Sequence, residues 1–322
     1  MAADGYVIGF DMGGTKMLAK LMTSEFKEEG RAKLKTPPGA GNEEILTAIA
    51  ETIRGAVADG GAEMSEVRAI GVAVPGPLDI GDGRVIEMAN VGMRDFPLRD
   101  RLEGLLSIPV LLENDVNAGT YGEYVAGAAK GHRNIIGVFP GTGVGGGIII
   151  DGALYHGRHG RAGEIGHMTV QVNGPLCGCG KYGCLEAVSS KTAIAKALVH
   201  LAAIGDAPTV FELAGTDLSR MKSSVIKKAI AAKEQSVIRV VDRAAWFLGL
   251  GLGSCVDIFD PDVIVLGGGL LEKLGADYLS KVDASLRENT MVPSDVPLLA
   301  AELEDDSVVI GVAALALEER RE

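Results

Sequence analysis

Aromatic residues are scarce in this chain, 4% of 322 residues with a single Trp. Its interior must therefore be closed by aliphatic side chains, and 47% hydrophobic residues with 45 glycines point to a close-packed core of Val, Ile, Leu and Ala. The same figures exclude long disorder. Basic residues are also short: 31 Lys and Arg against 43 Asp and Glu leave a formal charge of −12, contrary to the cationic surface that contact with nucleic-acid phosphates requires. No apolar run is long enough to span a bilayer, the nearest, "WFLGLGLGSCVDIF", being short and rich in Gly. The opening "MAADGYVIGFDMGG" carries Asp4 and no basic residue before Lys16, unlike a signal or transit peptide. These features read as a soluble cytoplasmic protein with neither a nucleic-acid nor a membrane partner. Cysteines number only four, too few for a disulfide framework at this length. Three of them, Cys177, Cys179 and Cys184, cluster ten residues after His167, which suits a metal site in a reduced compartment.

The length favours about two domains. "YVIGFDMGGTKMLAKLMTS" reads as a strand, a turn at Gly13 and Gly14, and a second strand. "NEEILTAIAETIRGAVADG" places Ile45, Ile49, Ile53 and Val57 on one helical face, with Asn42 as the N-cap and Gly60 past the end. Strands are expected over 69–74 and 109–112, the latter running into "ENDVNAG", where a helix opens. From Asn134, "NIIGVFPGTGVGGGIIIDG" repeats the opening pattern of strand, Gly/Thr turn and strand. Two related openings predict two α/β domains, 1–118 and 119–306, meeting at a cleft, with a terminal helix over about 307–322 packing on the first. Residues 190–235 read mainly as helices, "PDVIVLGGGLL" as a buried strand ending in a glycine turn, and Cys255 as a core residue.

"GTGVGGG" contains a G-x-G-x-x-G at Gly141, Gly143 and Gly146, but a dinucleotide fold needs a helix after the glycines. Here "IIIDGALY" follows, three β-branched residues and an Asp-Gly turn, so the segment is a hairpin. The turns at 13–16 and 141–147 are then either plain tight hairpins or cradles whose backbone N–H groups and threonine hydroxyls hold phosphate oxygens. Asp11 favours the second reading. A carboxylate at a strand end beside a phosphate-sized turn can hold Mg²⁺, directly or through water, and Lys16 adds a cation. The third turn, Gly267, Gly268 and Gly269, has no polar partner and leaves close approach to a flat group such as adenine open.

Taken in order, "DMGGTK", "ENDVNAG", "GTGVGGG", "AGEIGHM" and "CGCGKYGCLE" resemble the ROK family of sugar kinases and sugar-responsive repressors, most closely its bacterial glucokinase branch. The resemblance is strong from about Tyr6 to Glu186 and looser beyond. It implies an actin-like ATPase (ribonuclease H-like) α/β fold of two domains around a cleft that holds sugar and ATP, and a homodimer or homotetramer. By resemblance, Asp11, Gly13, Gly14, Thr15 and Lys16 form the first phosphate loop and Gly141, Thr142 and Gly143 the second. Gly267, Gly268 and Gly269 lie near the adenosine. Asp115 matches the catalytic base, and Asn114, Asp115, Glu164, His167 and Glu186 match the sugar contacts.

The chemistry is consistent with those roles. Phosphoryl transfer to a hydroxyl needs a proton acceptor, positive charge on the phosphates and in-line positioning. Asp115 follows the apolar "IPVLL" and opens a helix, a place that suits either a helix cap or a base projected from a rigid strand end. Carboxylates at Glu164 and Glu186 suit a sugar, since each can accept from two hydroxyls. His167, Cys177, Cys179 and Cys184 make a Cys₃His set, the composition of a closed structural Zn²⁺ site, and a metal tying them together would fix Glu164 and Glu186 around one sugar. A zinc hydrolase would need an open coordination position, and a repressor of this family would carry a winged helix-turn-helix before the first phosphate loop. The expectation is an ATP-dependent glucokinase acting on the 6-hydroxyl of D-glucose. Met93, where glucokinases of the family often have Trp, keeps N-acetylmannosamine, N-acetylglucosamine, mannose, fructose and allose in play, as well as a sugar-sensing role.

Overall fold

The computed structural model describes residues 5–88, 91–291 and 293–319. The chain divides into two compact units, and each is discontinuous in sequence. The first comprises Met1–Arg133, Gly147–Gly163 and Glu302–Glu322, the second Asn134–Gly146 and Glu164–Ala301. Residues 118 and 119, where the sequence suggests a boundary, both lie in the first unit, inside a helix.

The first unit begins with strands β1 (Tyr6–Met12), β2 (Lys16–Met22) and β3 (Glu28–Lys35), helix α1 (Asn42–Asp59) and strand β4 (Val67–Val74). A small antiparallel sheet follows, β5 (Leu78–Asp79), β6 (Arg84–Met88) and β7 (Met93–Phe96), then α2 (Leu98–Leu106), β8 (Val110–Asn114) and α3 (Asp115–Ala126). The main sheet runs β3-β2-β1-β4-β8. β1, β4 and β8 are parallel, and their register sets Asp11 beside Ala73 and Ala73 beside Glu113. The carboxyl ends of these three strands therefore form one edge that carries Asp11, Asn114 and Asp115.

Helix α1 shows the expected apolar face, with Ile45, Ile49, Ile53 and Val57 buried, and Gly60 closes it. Its N-cap is Gly41, not Asn42, which is the helix's first residue. The Asn42 amide is recruited elsewhere: its Nδ2 donates to Arg94 O at 3.2 Å and its Oδ1 accepts from Arg94 N at 3.3 Å, tying the helix start to β7. Met93 is fully buried in the core of this unit.

The second unit opens with β9 (Ile135–Pro140) and β10 (Val144–Ile150). β10 runs on into the first unit, where Asp151 and Gly152, both at positive φ, fold it back onto β11 (Ala153–Leu154) in the Asp-Gly hairpin the sequence predicts. Helices α4 (Leu185–Ser189), α5 (Lys191–Ala203), α6 (Pro208–Ala214), α7 (Ser223–Ala231) and α8 (Gln235–Phe259) come next. They are followed by β12 (Val263–Leu266), α9 (Gly269–Leu274), α10 (Ala276–Glu288) and β13 (Leu298–Ala300). β12 is parallel to both β9 and β13, and Leu266 stands in register with Val138. An aliphatic core from Ile136 and Val138 through Leu248, Leu252 and Ile264 fills this unit, with Cys255 buried in it as expected.

Helix α11 (Asp306–Glu318) returns to the first unit and packs on α3, β1 and β4; residues 320–322 of the expected terminal helix lie outside the described residues. Its fit depends on glycine. A Cβ at Gly9, Gly71 or Gly122 would overlap the α11 backbone at Val309, Val312 or Ser307, and one at Gly311 would overlap Ala118 O. Backbones meet directly along this seam. Among the described residues no single helix is long and apolar enough to cross a membrane.

Candidate active site

In the first unit, the turn after β1 is closed by Gly13 N–H donating to Lys16 O at 2.9 Å and pinned from behind by Thr36, whose hydroxyl donates to Gly13 O at 2.7 Å. Gly14, Thr15 and Lys16 are exposed, and a Cβ at Gly14 would meet nothing within 4 Å, so the turn is open to a ligand. Lys16 Nζ bonds Asp305 Oδ2 at 2.6 Å, an exposed pair just before α11. Asp11 sits behind this turn. Burial first, then the charge of Asp115, push its carboxyl up to about 7, with Lys16 pulling the other way and Asp305 adding to the rise. Such a carboxylate is short of positive charge, and a divalent cation answers that need as well as a proton does.

At the end of β8, the question of cap or base resolves into two residues. Asn114 is the N-cap of α3, its Oδ1 accepting from Val116 N at 2.9 Å and Asn117 N at 3.2 Å. Asp115 is the first helical residue, with Oδ1 accepting from Val116 N at 3.0 Å. Burial raises the Asp115 pKa above the ordinary carboxylate range, against the lowering pull of the Val116 N–H. A carboxylate so placed can take a proton from a bound hydroxyl.

The other candidates lie in the second unit. The turn Gly141–Gly143 follows β9, and Gly267 follows β12, its N–H donating to Val138 O at 2.9 Å; both turns thus sit at the carboxyl ends of adjacent parallel strands. That edge is where open α/β sheets bind ligands. The second turn is held from α4 and α5: Lys191 N donates to Gly141 O at 2.9 Å, Thr192 Oγ1 to Thr142 O at 2.6 Å, and Val144 N to Glu186 Oε2 at 3.2 Å. Gly268 is at φ +87, and a Cβ at Gly267 would press on the Phe139 ring at 2.6 Å.

His167, Cys177, Cys179 and Cys184 bring one ligand atom each to within 4.8 Å of all the others. Cys177 Sγ lies 3.7 Å from His167 Nδ1, and Cys179 Sγ 3.6 Å from Cys184 Sγ. A tetrahedron with Zn–S bonds of about 2.3 Å has edges of about 3.8 Å, and these two separations match it. Positive-φ glycines at 180 and 183 make the tight turns, and Lys181 O and Cys177 O accept within the knuckle. Burial pushes the Cys177 thiol up to about 12, and it donates to Glu186 Oε1 at 3.4 Å.

His167 uses its two nitrogens differently. Nδ1 faces the sulfur cluster, while Nε2 faces Glu164 Oε2 at 3.8 Å. The ring can therefore ligate a metal on one side and present a polar edge on the other, which reconciles the two roles its sequence position suggests. Two residues that sequence reasoning left out complete the picture. Glu113 is buried one residue before the Asn114 cap, and His156 bonds it at 2.6 Å.

Against this geometry, comparison with known proteins is decisive. The ROK family profile matches residues 7–319. The chain belongs to the ROK family. A glucokinase of Halalkalibacterium halodurans is 32% identical, over 96% of this chain and 94% of its own. An N-acetylmannosamine kinase of Salmonella arizonae is 31% identical, over 96% and 97%. The solved structure of a ROK family glucokinase from Streptomyces griseus in complex with glucose and AMPPNP is 33% identical, with a TM-score of 0.83 over 98% of this chain and 100% of that one. This ROK protein has the α/β, actin-like ATPase fold that its motifs imply.

Proposed function

We propose that this ROK protein is an ATP-dependent sugar kinase that transfers the γ-phosphoryl group of ATP to the 6-hydroxyl of D-glucose. The observation that carries the reading is the carboxyl edge of the β1-β4-β8 sheet, where Asp115 stands in the first turn of α3 in the same charge field as Asp11 and the open glycine turn. Asp115 takes the proton of the attacking hydroxyl, a role worth about 10²–10⁴ in rate. Burial raises its pKa, which makes it a better proton acceptor than an ordinary surface carboxylate. Asn114, whose oxygen caps the helix and whose side chain also hydrogen-bonds Asp115, flanks the base and offers its amide to a sugar hydroxyl.

Glu164, His167 Nε2 and Glu186 bind further hydroxyls. The turns Gly13, Gly14, Thr15 and Lys16, and Gly141, Thr142 and Gly143, are phosphate loops, and Gly267, Gly268 and Gly269 border the adenosine. Mg²⁺ held at Asp11 would neutralise phosphate charge. Zn²⁺ held by His167, Cys177, Cys179 and Cys184 would have its four positions filled by protein and so would serve structure, fixing the segment that leads to Glu186.

Kinship at nearly equal identity to an N-acetylmannosamine kinase, together with Met93 in place of the Trp common in glucokinases, supports a second reading in which another hexose is the acceptor. A coupled ADP-release assay with Mg·ATP against glucose, mannose, fructose, allose, N-acetylglucosamine and N-acetylmannosamine decides. Turnover with glucose that disappears in Asp115→Asn is the expected result. Turnover with a different sugar replaces the first reading by the second, and no turnover with any of them overturns both. Light scattering tests the expected homodimer or homotetramer.

A further inference from the structure

Glu113 is the acid of "ENDVNAG" that the proposed reaction does not use. Its side chain is 3% exposed, and a carboxylate so deep must have its oxygens partnered. Oε1 accepts from Asn114 N at 2.8 Å and from Asn117 Nδ2 at 3.0 Å. Oε2 is met by His156 Nε2 at 2.6 Å. The bond to Glu113 holds the His156 imidazole in its charged form to higher pH than usual, which makes the contact a charge-assisted one.

Each end of this tie is held independently. Glu113 is in register with Ala73 on β4, Asn114 caps α3, and Asp115 comes next. His156 follows β11 in a segment where Tyr155 N donates to Ile148 O at 2.8 Å and Ala162 N to His156 O at 3.1 Å. Positive-φ glycines at 157, 160 and 163 set the path of that segment. The imidazole is therefore braced by its own loop and presses on a carboxylate whose other oxygen grips the peptide one residue from the base.

We propose that His156 is a positioning residue for the transfer step: by holding Glu113 Oε2 it keeps Glu113 Oε1 on the Asn114 amide, and so keeps the start of α3 in the orientation that aims Asp115. The proposal rests on the sugar-kinase reading for its kinetic consequence but not for its geometry. Without the imidazole, the Glu113 carboxylate turns toward other donors and releases the Asn114 N–H, and Asp115 loses its fixed direction. Misplacement of about 1 Å is enough to lower a transfer rate greatly.

The test compares wild type, His156→Asn, His156→Gln, Glu113→Gln and the double variant His156→Asn/Glu113→Gln. Asn is too short to reach Glu113, whereas Gln places its amide near the position of Nε2. His156→Asn is expected to lower kcat about tenfold or more with KM for ATP within about twofold, and His156→Gln to restore most of the loss. The double variant should be little worse than Glu113→Gln alone. In ¹⁵N spectra of the ligand-free protein, the Asn114 and Asp115 amide resonances should move in His156→Asn and return in His156→Gln. A kcat within twofold of wild type in His156→Asn, an equal loss in the Gln variant, or unmoved Asn114 and Asp115 amides overturns the proposal. If wild type phosphorylates no sugar, the kinase reading falls by itself, and the amide resonances still decide whether His156 orients the start of α3.

Discussion

Replacing Gly143 by Ala tests how closely the second glycine turn and the proposed sugar contacts depend on one another. No backbone obstacle opposes the change, since Gly143 is absent from the positive-φ glycines. The obstacle is one side chain. An added Cβ would overlap Glu186 Oε2 and stand 3.2 Å from its Cδ, so the carboxylate must swing away by about 1 Å. That movement breaks the 3.2 Å bond from Val144 N, a hydrogen bond to a charged group worth about 1.5–3 kcal/mol. It also moves an oxygen proposed to hold a sugar hydroxyl. Apparent affinity for sugar should fall about 10- to 100-fold, each 1.4 kcal/mol being tenfold. Melting should shift by only a few degrees, because the broken bond lies at the rim of a large core. Gly141→Ala is the control, as a Cβ there meets nothing within 4 Å. Steady-state kinetics with sugar and ATP varied separately give both numbers. A Gly143→Ala enzyme with wild-type KM for sugar would refute the argument, for it would mean that Glu186 can leave its place at no cost to sugar binding.

Cys179→Ser should lose zinc and sugar affinity together, by about 10- to 100-fold in the latter; metal analysis and calorimetry on the same sample check it, and normal sugar affinity in the zinc-free variant counts against the structural role. The acid limb of kcat/KM should lie above the ordinary carboxylate value, because burial raises the Asp115 pKa and a base is lost as pH falls through its own pKa; a profile flat down to pH about 4 would exclude Asp115 as the base. Glu123 is fully buried, and its carboxylate accepts from Ala128 N, Glu302 N and Leu303 N at 2.9, 3.1 and 2.9 Å. Glu123→Ala should cost about 3 kcal/mol or more by leaving those groups unpaired, seen in denaturant unfolding, while KM values of the surviving enzyme stay put. Gly311→Ala should be more damaging still, since the new methyl would meet only backbone, at Ala118 and Gly122; a melting curve unchanged from wild type would sink the glycine-seam account.

Much of this was readable in advance because it is local. Strand alternation around Gly13 and Gly14, the apolar face of α1, the Asp-Gly hairpin and the Cys₃His spacing each occupy a short stretch, and each formed where its pattern said. What stayed hidden depends on pairings that no local pattern encodes. The His156–Glu113 bond spans 43 positions without a motif. Asn42 had the right chemistry for a cap but found a better use in Arg94, a residue 52 positions away. A single boundary near 118 could not anticipate that the chain visits the first unit three separate times. Gly9 and Gly71 did offer a signal, as glycines inside strand patterns often mark close backbone approach, though not which segment would approach.

The glycine seam has a consequence for how the protein is made. Helix α11 lies downstream of the whole second unit, yet it is the element that fills the groove over β1, β4 and α3. On the ribosome, the sheet that bears Asp11 and the helix that bears Asp115 must wait, with that groove uncovered, for roughly 170 further residues to be added, about 10–30 s at ordinary elongation speed. The inserted unit, complete by Ala301, can settle first. A nascent chain interrupted before α11 would thus carry every proposed phosphate and sugar contact and still lack a finished platform for Asp115, the proposed base.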